Sequence, residues 1–387
     1  MNFSKKEIIK IFLENDLQLD NDSLNYFFSK QDKIEPFLKA VKNLKEKPLV
    51  ITKEFVEKFF KSPKVEILKK FSQPEGAFST ENIMKFFQER YEFIRKILEK
   101  RIDLVNTISI NRISKKSRKF SLIGMISEKN EEEKSVEVED LTGTTTIFLD
   151  EKFFNILPLD AVVGFVCEKK DDKIRAEDVI LPDIPLRKEV NKTSNEAYCL
   201  FVSDFHLDQK NYEFLQKFLD KIKKLNYPNL SIFFLGDISP KKEDYEKIIE
   251  SIPEEISYIF LAGELERNIN MEEIFKVPIL VQIENVKIFL AHGDFFSSYL
   301  QIFKTPENTV LQLLKQRNFN PTFSPDNFSN TYLLDTIPDI IAVGHFHKPN
   351  FQNYKGTTIV FNGSLITEPI YWLVNLQTRE INKFSLI

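Results

Sequence analysis

The hydrophobic pattern takes three successive forms along the chain. In the first stretch apolar residues recur at helical spacing. Ser4-Lys-Lys-Glu7 has the spacing of a capping box, and Ile8, Ile9, Ile11 and Phe12 follow it as an apolar stripe. A second helix is predicted from Asp22 or Ser23, with Leu24, Phe27 and Phe28 on its buried side. Phe37, Leu38 and Val41 mark a third helix, and Phe55, Val56, Phe59 and Phe60 a fourth, punctuated by Pro48 and Pro63. Residues 1–72 therefore read as an N-terminal all-α domain. Ser72-Gln-Pro-Glu-Gly76 reads as a linker, and Thr80 to Arg101 as a long helix with Ile83, Phe87, Tyr91, Ile94 and Leu98 near one face. Together these make up residues 73–104.

After that helix the period drops to two. Short strands are predicted at Phe120 to Ile126, Ser135 to Val138, Thr144 to Leu149, Ala161 to Cys167 and Ile174 to Ile180, with Asp140-Leu-Thr-Gly143 as a tight turn. Five strands in about 80 residues fit a partly open OB-fold β-barrel over residues 105–186, closed by Pro182-Asp-Ile-Pro185. Residues 187–387 show the third pattern, short continuous apolar runs that suit a parallel-type sheet covered on both faces. Asn211 to Lys224 and Lys242 to Ser251 have helical periodicity and are expected to cover it.

Composition adds limits. The 42% hydrophobic and 29% charged fractions are globular values, and 387 residues suffice for two or three domains. A net charge of −4 and pI near 5.8 make no global electrostatic case for nucleic acid, so any DNA contact must be local or shared with a partner. Arg112, Lys115, Lys116, Arg118 and Lys119 form a basic cluster beside the barrel, but no aromatics interleave it as a stacking platform would require. Protein docking is the expected role of that face. Cys167 and Cys199 lack CxxC spacing and read as buried thiols in a reducing compartment. With no membrane-length apolar run and no signal-type segment, a soluble cytoplasmic protein is expected.

The chemistry lies at the ends of the apolar runs. All four histidines sit there, in Asp204-Phe-His206, His292-Gly293 and Gly344-His345-Phe-His347, together with Gly236-Asp237 and Gly263-Glu264. Loops leaving strand ends are where an open α/β sheet builds its site. Imidazole nitrogen mixed with carboxylate oxygen suits Mn, Fe or Zn, whereas Mg favours oxygen alone. Two metals need a shared ligand, and Asp237 is the only carboxylate at the tip of its run. Asp204 and His206 alternate along an extended chain and can face one metal; His345 and His347, in a loop, can address one metal or two.

These motifs, in order, resemble those of the calcineurin-like metallophosphoesterases, with one departure. The family's third motif is Gly-Asn-His-Asp or Gly-Asn-His-Glu, and here it reads Gly263-Glu264-Leu265-Glu266. The resemblance implies an α/β domain with a central β-sandwich and two divalent ions, Mn first, with Fe, Zn or Mg as alternatives. One ion would be held by Asp204, His206, Asp237 and His347, the other by Asp237, His292, His345 and Glu264. Asp237, Glu264 and His292 are the expected catalytic residues. Leu265 occupies the position of a histidine that assists the leaving group or transition state.

The flanking sequence narrows the resemblance. The order of helical unit, helix, OB barrel and phosphoesterase is similar to that of the small subunits of archaeal family D DNA polymerases, whose last two domains recur in eukaryotic replicative polymerase B-subunits. Arg90 to Arg101, Ile123-Gly-Met-Ile126, Val138 to Gly143, Leu314 to Arg317 with Pro321, and Ile337 to Ile341 carry it. It implies a heteromeric replicative polymerase with a large catalytic subunit as partner, and a proofreading 3′→5′ exonuclease acting on the 3′ end of primer DNA, weakened here by the altered third motif. A catalytically inactive scaffold, as in the B-subunits, and a free-standing phosphodiesterase or repair nuclease are the alternatives. Asn21 to Phe28 also resembles the sliding-clamp peptide of replication proteins, although helix core is the expected role of these phenylalanines.

Overall fold

The computed structural model describes residues 3–41, 48–60, 65–72, 79–187, 189–209, 211–225, 227–325 and 329–386. Helices α1 (Lys5–Leu13), α2 (Asn21–Ser29), α3 (Ile34–Val41) and α4 (Lys53–Phe60) form the N-terminal unit. The Ser4–Glu7 capping box is made, and Asp20 rather than Asp22 or Ser23 caps α2. Phe12, Phe27 and Phe37 meet at ring separations of 4.8–6.0 Å in its core. Phe27 is therefore committed to packing, and Phe28 alone of that pair is exposed. The unit is not purely helical, because β1 (Gln18–Leu19) and β2 (Val50–Ile51) pair in parallel. Most of the expected 72–76 linker, and Pro63, lie outside the described residues.

The end of the expected helical domain belongs elsewhere. β3 (Glu66–Lys70) is a strand, and it pairs antiparallel with a strand more than 200 residues downstream. Ile67 and Leu68 are adjacent apolar residues, a pattern that period counting cannot separate from a helix end. Phe71 then anchors the segment against Phe289 at 5.0 Å.

Helix α5 (Thr80–Leu98), capped by Ser79, leads to strands β4 (Lys119–Asn130), β5 (Ser135–Asp140), β6 (Gly143–Phe148), β7 (Val162–Lys170) and β8 (Lys173–Ile180), with α6 (Glu151–Phe154) between β6 and β7. The five strands close into a barrel in the order β4-β5-β6-β8-β7. One face of α5 packs Tyr91, Ile94 and Leu98 against Ile123, Met125 and Val162 of the barrel. Next to that stripe the fully buried Arg90 donates to the carbonyls of Pro321 and Asn320. The helix thus joins the barrel to the C-terminal domain. Asp160 of the barrel adds a second tie by accepting the Phe323 N–H at 2.8 Å.

The remaining elements are β9 (Tyr198–Val202), α7 (Tyr212–Ile222), β10 (Leu230–Leu235), α8 (Lys242–Ser251), β11 (Ser257–Leu261), β12 (Ile274–Phe275), β13 (Ile279–Ile283), β14 (Val286–Ala291), α9 (Ser297–Phe303), α10 (Pro306–Lys315), β15 (Ile340–Val343), β16 (Asn350–Tyr354), β17 (Thr357–Phe361), β18 (Ile370–Asn375) and β19 (Ile381–Ser385). Two six-stranded sheets form, β12-β11-β10-β9-β18-β19 and β16-β17-β15-β14-β13-β3. β9 to β12 run parallel, as do β14, β15 and β17, while the outer partners are antiparallel.

Strand alternation explains the continuous apolar runs. Cys199 and Phe201 face Ile288, Leu290, Ile340 and Ala342 between the sheets. Leu200 and Val202 face outward under α7 and α8. Phe289 and Ala291 of the second sheet face α9 and α10 in the same way. Both faces of the central strands of each sheet are buried, giving a helix–sheet–sheet–helix stack.

Candidate metal centre

The site is built where β9, β10, β11, β14 and β15 end. Two groups of side chains converge there, Asp204 with His206 and His347, and Asp237 with His292 and His345; within each group the ligand atoms lie within 4.8 Å of one another. In the first, Asp204 Oδ1 is 3.2 Å from His347 Nε2 and 3.7 Å from His206 Nε2, and the two imidazole nitrogens are 3.4 Å apart. In the second, Asp237 Oδ2 is 3.2 Å from His292 Nε2, and the His292 and His345 rings are 4.9 Å apart. Asp204 links the groups, since its Oδ2 accepts the His345 backbone N–H at 2.9 Å.

The backbone bends hard to achieve this. Asp204, His206, Asp237, His345 and His347 all have φ between 48° and 74°. L-residues rarely occupy that region, and such strain clusters at functional sites. Asp204 and His206 are therefore not presented by an extended chain; two left-handed residues turn both side chains inward. Gly236, at φ 91°, is needed for another reason as well: a Cβ there would lie 2.7 Å from both His292 Nδ1 and the Gly263 nitrogen.

The donor set fits a divalent cation. His292 is buried, and its Nδ1 is engaged by the Leu235 carbonyl at 2.7 Å, which turns Nε2 toward Asp237. Nε2 is buried and makes no hydrogen bond. An imidazole nitrogen aimed at a carboxylate oxygen, with the opposite nitrogen anchored on a carbonyl, is the usual arrangement of a metal-ligating histidine. Without metal the two groups polarise each other. Burial pushes the Asp237 carboxyl up, but the His292 imidazole 3.2 Å away, the Leu265 N–H and His206 outweigh it and bring it down to about 2. Burial pushes His292 down, yet Asp237, Asp204 and Asp294 raise it to about 9. His345 is lowered by burial and by His292. His347 is raised, chiefly by its bond to Asp204.

Glu264 does not join either group. Its side chain is exposed and lies 3.3 Å from the Arg267 guanidinium. The turn after β11 instead directs the next acid inward. Glu266 is fully buried; Oε2 accepts the N–H groups of Gly263 at 2.7 Å and Asp237 at 3.0 Å, and Oε1 those of Ile238 at 2.7 Å and Ser239 at 3.2 Å, with the Tyr245 hydroxyl. Sequence reading passed over Glu266, although it ends the third motif. Leu265 contributes its backbone N–H to Asp237 Oδ1 at 3.0 Å, and its side chain is half-buried.

Two facing sheets carry carboxylates and histidines on their strand-end loops, and residues 198–378, which include them, match the calcineurin-like phosphoesterase superfamily domain. Its fold implies the use of divalent metal, and the two side-chain groups are the candidates to hold it. Most of the chain is homologous to archaeal proteins named DNA polymerase II small subunit. It is 25% identical to that of Pyrococcus furiosus over 88% of this chain and 64% of the relative, and 26% identical to that of Archaeoglobus fulgidus over 86% and 81%. It thus spans just under two thirds of the length of the Pyrococcus protein. Among solved structures, a predicted phosphoesterase from Streptococcus pneumoniae aligns with 50% of this chain and 92% of its own at 15% identity and a TM-score of 0.33. No helix among the described residues is long and apolar enough to cross a membrane.

Proposed function

We propose that this chain is the small subunit of a heteromeric archaeal DNA polymerase, bound to a large catalytic subunit, and that its phosphoesterase domain is a two-metal 3′→5′ exonuclease of reduced rate acting on the primer 3′ end. The convergence of Asp204, His206 and His347 beside Asp237, His292 and His345 is the observation that carries the enzymatic half. Homology over most of the chain, well beyond the phosphoesterase domain, supports the polymerase half. We read the barrel as an OB type, and Mn as the first candidate ion, ahead of Fe, Zn and Mg.

Bound divalent ions would supply Lewis-acid stabilisation of the phosphoryl oxygens and an activated water. The protein's part is positioning. The Leu235 carbonyl sets the ring orientation of His292, the His345 N–H fixes the Asp204 carboxylate, and Glu266 holds the Asp237 and Gly263 loops in register. Leu265 has no group to protonate a leaving oxygen, which is why the rate is expected to be low.

A scaffold without hydrolysis is the second reading, favoured by Leu265 and by the outward Glu264. A clamp peptide at Asn21 to Phe28 gains no support, since Phe27 is in the core. The test pairs two measurements. Co-expression with the large subunit from the same genome should give one complex on size exclusion, and independent elution at every concentration refutes the polymerase reading. Single-turnover removal of a mismatched 3′ nucleotide with Mn should be slow but faster than in Asp237→Ala; equal rates make the domain a scaffold.

A further inference from the structure

Beside the metal centre lies a cleft of about 230 Å³ between the third and fourth site loops. His292 forms part of its wall, Val277, Pro278 and Phe295 give it an apolar side, and Arg267 and Lys276 bring two cations. The cleft is smaller than the ~300–1,000 Å³ of ordinary small-molecule pockets. It suits the end of a chain better than a stretch of duplex.

Arg267 stands two residues after Leu265. Its Nη2 is 3.3 Å from Glu264 Oε1 and 3.4 Å from Asp294 Oδ2, so it spans the third loop and the fourth. Asp294 directly follows His292-Gly293. Lys276 Nζ donates to the Arg267 carbonyl at 3.3 Å, which adds a second positive charge to the same wall. The Arg267 side chain is 64% exposed, so its carboxylate partners hold it weakly. A guanidinium fits phosphate in a two-pronged manner, and a phosphate entering the cleft can take the place of Glu264.

We infer that Arg267, backed by Lys276, grips the phosphate of a terminal nucleotide in this cleft, and that Glu264 is its counter-ion in the substrate-free chain. The inference rests on the phosphoesterase reading. It replaces the missing side-chain donor at Leu265 with a cation two residues on, and it gives Glu264 an electrostatic task outside the metal shell.

The test is calorimetric titration of the Mn-loaded full chain with dTMP, and with inorganic phosphate as a second probe. Arg267→Ala should weaken dTMP by about 10- to 100-fold, as expected for loss of charge-assisted hydrogen bonds. Arg267→Lys should retain part of the affinity, and Glu264→Gln should tighten binding by releasing the guanidinium. Mn stoichiometry should be unchanged in all three. Wild-type affinity in Arg267→Ala, or no dTMP binding by the wild type, overturns the inference. So does loss of Mn from Arg267→Ala, which would place the residue's action in the metal site. Failure of the underlying reading is seen separately, as absence of Mn uptake by the wild type. The same dTMP titration in EDTA still compares Arg267 with its variants directly.

Discussion

Glu266 Oε2 accepts the backbone N–H of Asp237 at 3.0 Å, and the same oxygen takes that of Gly263 at 2.7 Å. One buried carboxylate therefore sets the spacing between two loops that lie 26 residues apart in the chain. It does so with oxygen lone pairs alone, in a place where four N–H donors would otherwise be buried without partners.

Glu266→Gln should accordingly be severe, although it is nearly isosteric. The amide turns a hydrogen-donating NH₂ toward backbone donors, and the loss is expected to be on the order of 2–4 kcal/mol. Tyr245→Phe removes one donor and should cost about 1 kcal/mol. Urea unfolding of metal-free protein checks both values, and equal stability of Glu266→Gln and wild type would remove Glu266 from this role.

Metal-free protein should lose stability as pH rises from 6.5 to about 9. His292 is raised from 6.5 to about 9, so its stabilising charge is fully present below the unfolded value and is lost as pH climbs through the folded one. Asp237 acts at the other end: lowered from 3.8 to about 2, it stabilises above 3.8, and its contribution fades as pH falls toward 2. Thermal midpoints in EDTA at pH 6, 7.5 and 9 should fall in the wild type and stay flatter in His292→Gln. Because the proton and a cation compete for the same nitrogen, Mn uptake at pH 7.5 should release protons, measured by calorimetry in buffers of different ionisation heat.

Leu265→His should accelerate single-turnover removal of a mismatched 3′ nucleotide. A positioned acid contributes about 10²–10⁴-fold, and a side chain restored on an existing turn should recover at least the lower part of that range. A wild type already fast, and not improved by Leu265→His, would show that this position carries no acid role.

Arg90→Met tests the joint between α5 and the C-terminal domain. Arg90 is pushed down to about 10 by burial, stacks on Phe86 at 4.2 Å, and satisfies the Pro321 and Asn320 carbonyls. Met fills part of the volume but leaves those carbonyls without their donor, and a loss of about 2–4 kcal/mol is expected. Arg90→Lys should recover little, because one ammonium cannot reproduce the planar fork. Differential scanning calorimetry reads the loss, and an unchanged midpoint in Arg90→Met would show that the joint does not depend on this residue.

The positions of Asp204, Asp237, His292, His345 and His347 could be read from sequence because a run of apolar residues has a visible end, and a polar residue there has few other places to go. Which of two neighbouring acids turns inward could not. Glu264 and Glu266 differ only in the path of a tight turn, and the backbone donors that capture Glu266 come from the Asp237 loop, remote in sequence. The left-handed conformations of Asp204 and His206 were hidden for the same reason, since alternation suggests an extended chain until tertiary contacts override it. Helices α9 and α10 follow a stretch already read as site, and their periodicity was passed over. Arg90 and Pro321 stood out only as segments unusual for a phosphoesterase; their contact with each other gives the physical reason.

The edge strand β3 bears on how the molecule is made. Its partner β13 leaves the ribosome some 200 residues later, so in vectorial synthesis the segment waits unpaired while the barrel is translated. The pairing has the largest sequence separation in its sheet and therefore the greatest loop-closure cost, which places it late in folding. Excision of the C-terminal domain at the end of the barrel would not yield a smaller working copy. It would leave β13 as a raw edge of Ile279, Val281 and Ile283, open to pairing with another molecule. The domain divided by sequence position is one unit by hydrogen bonding, and its first strand is made before the barrel that interrupts it.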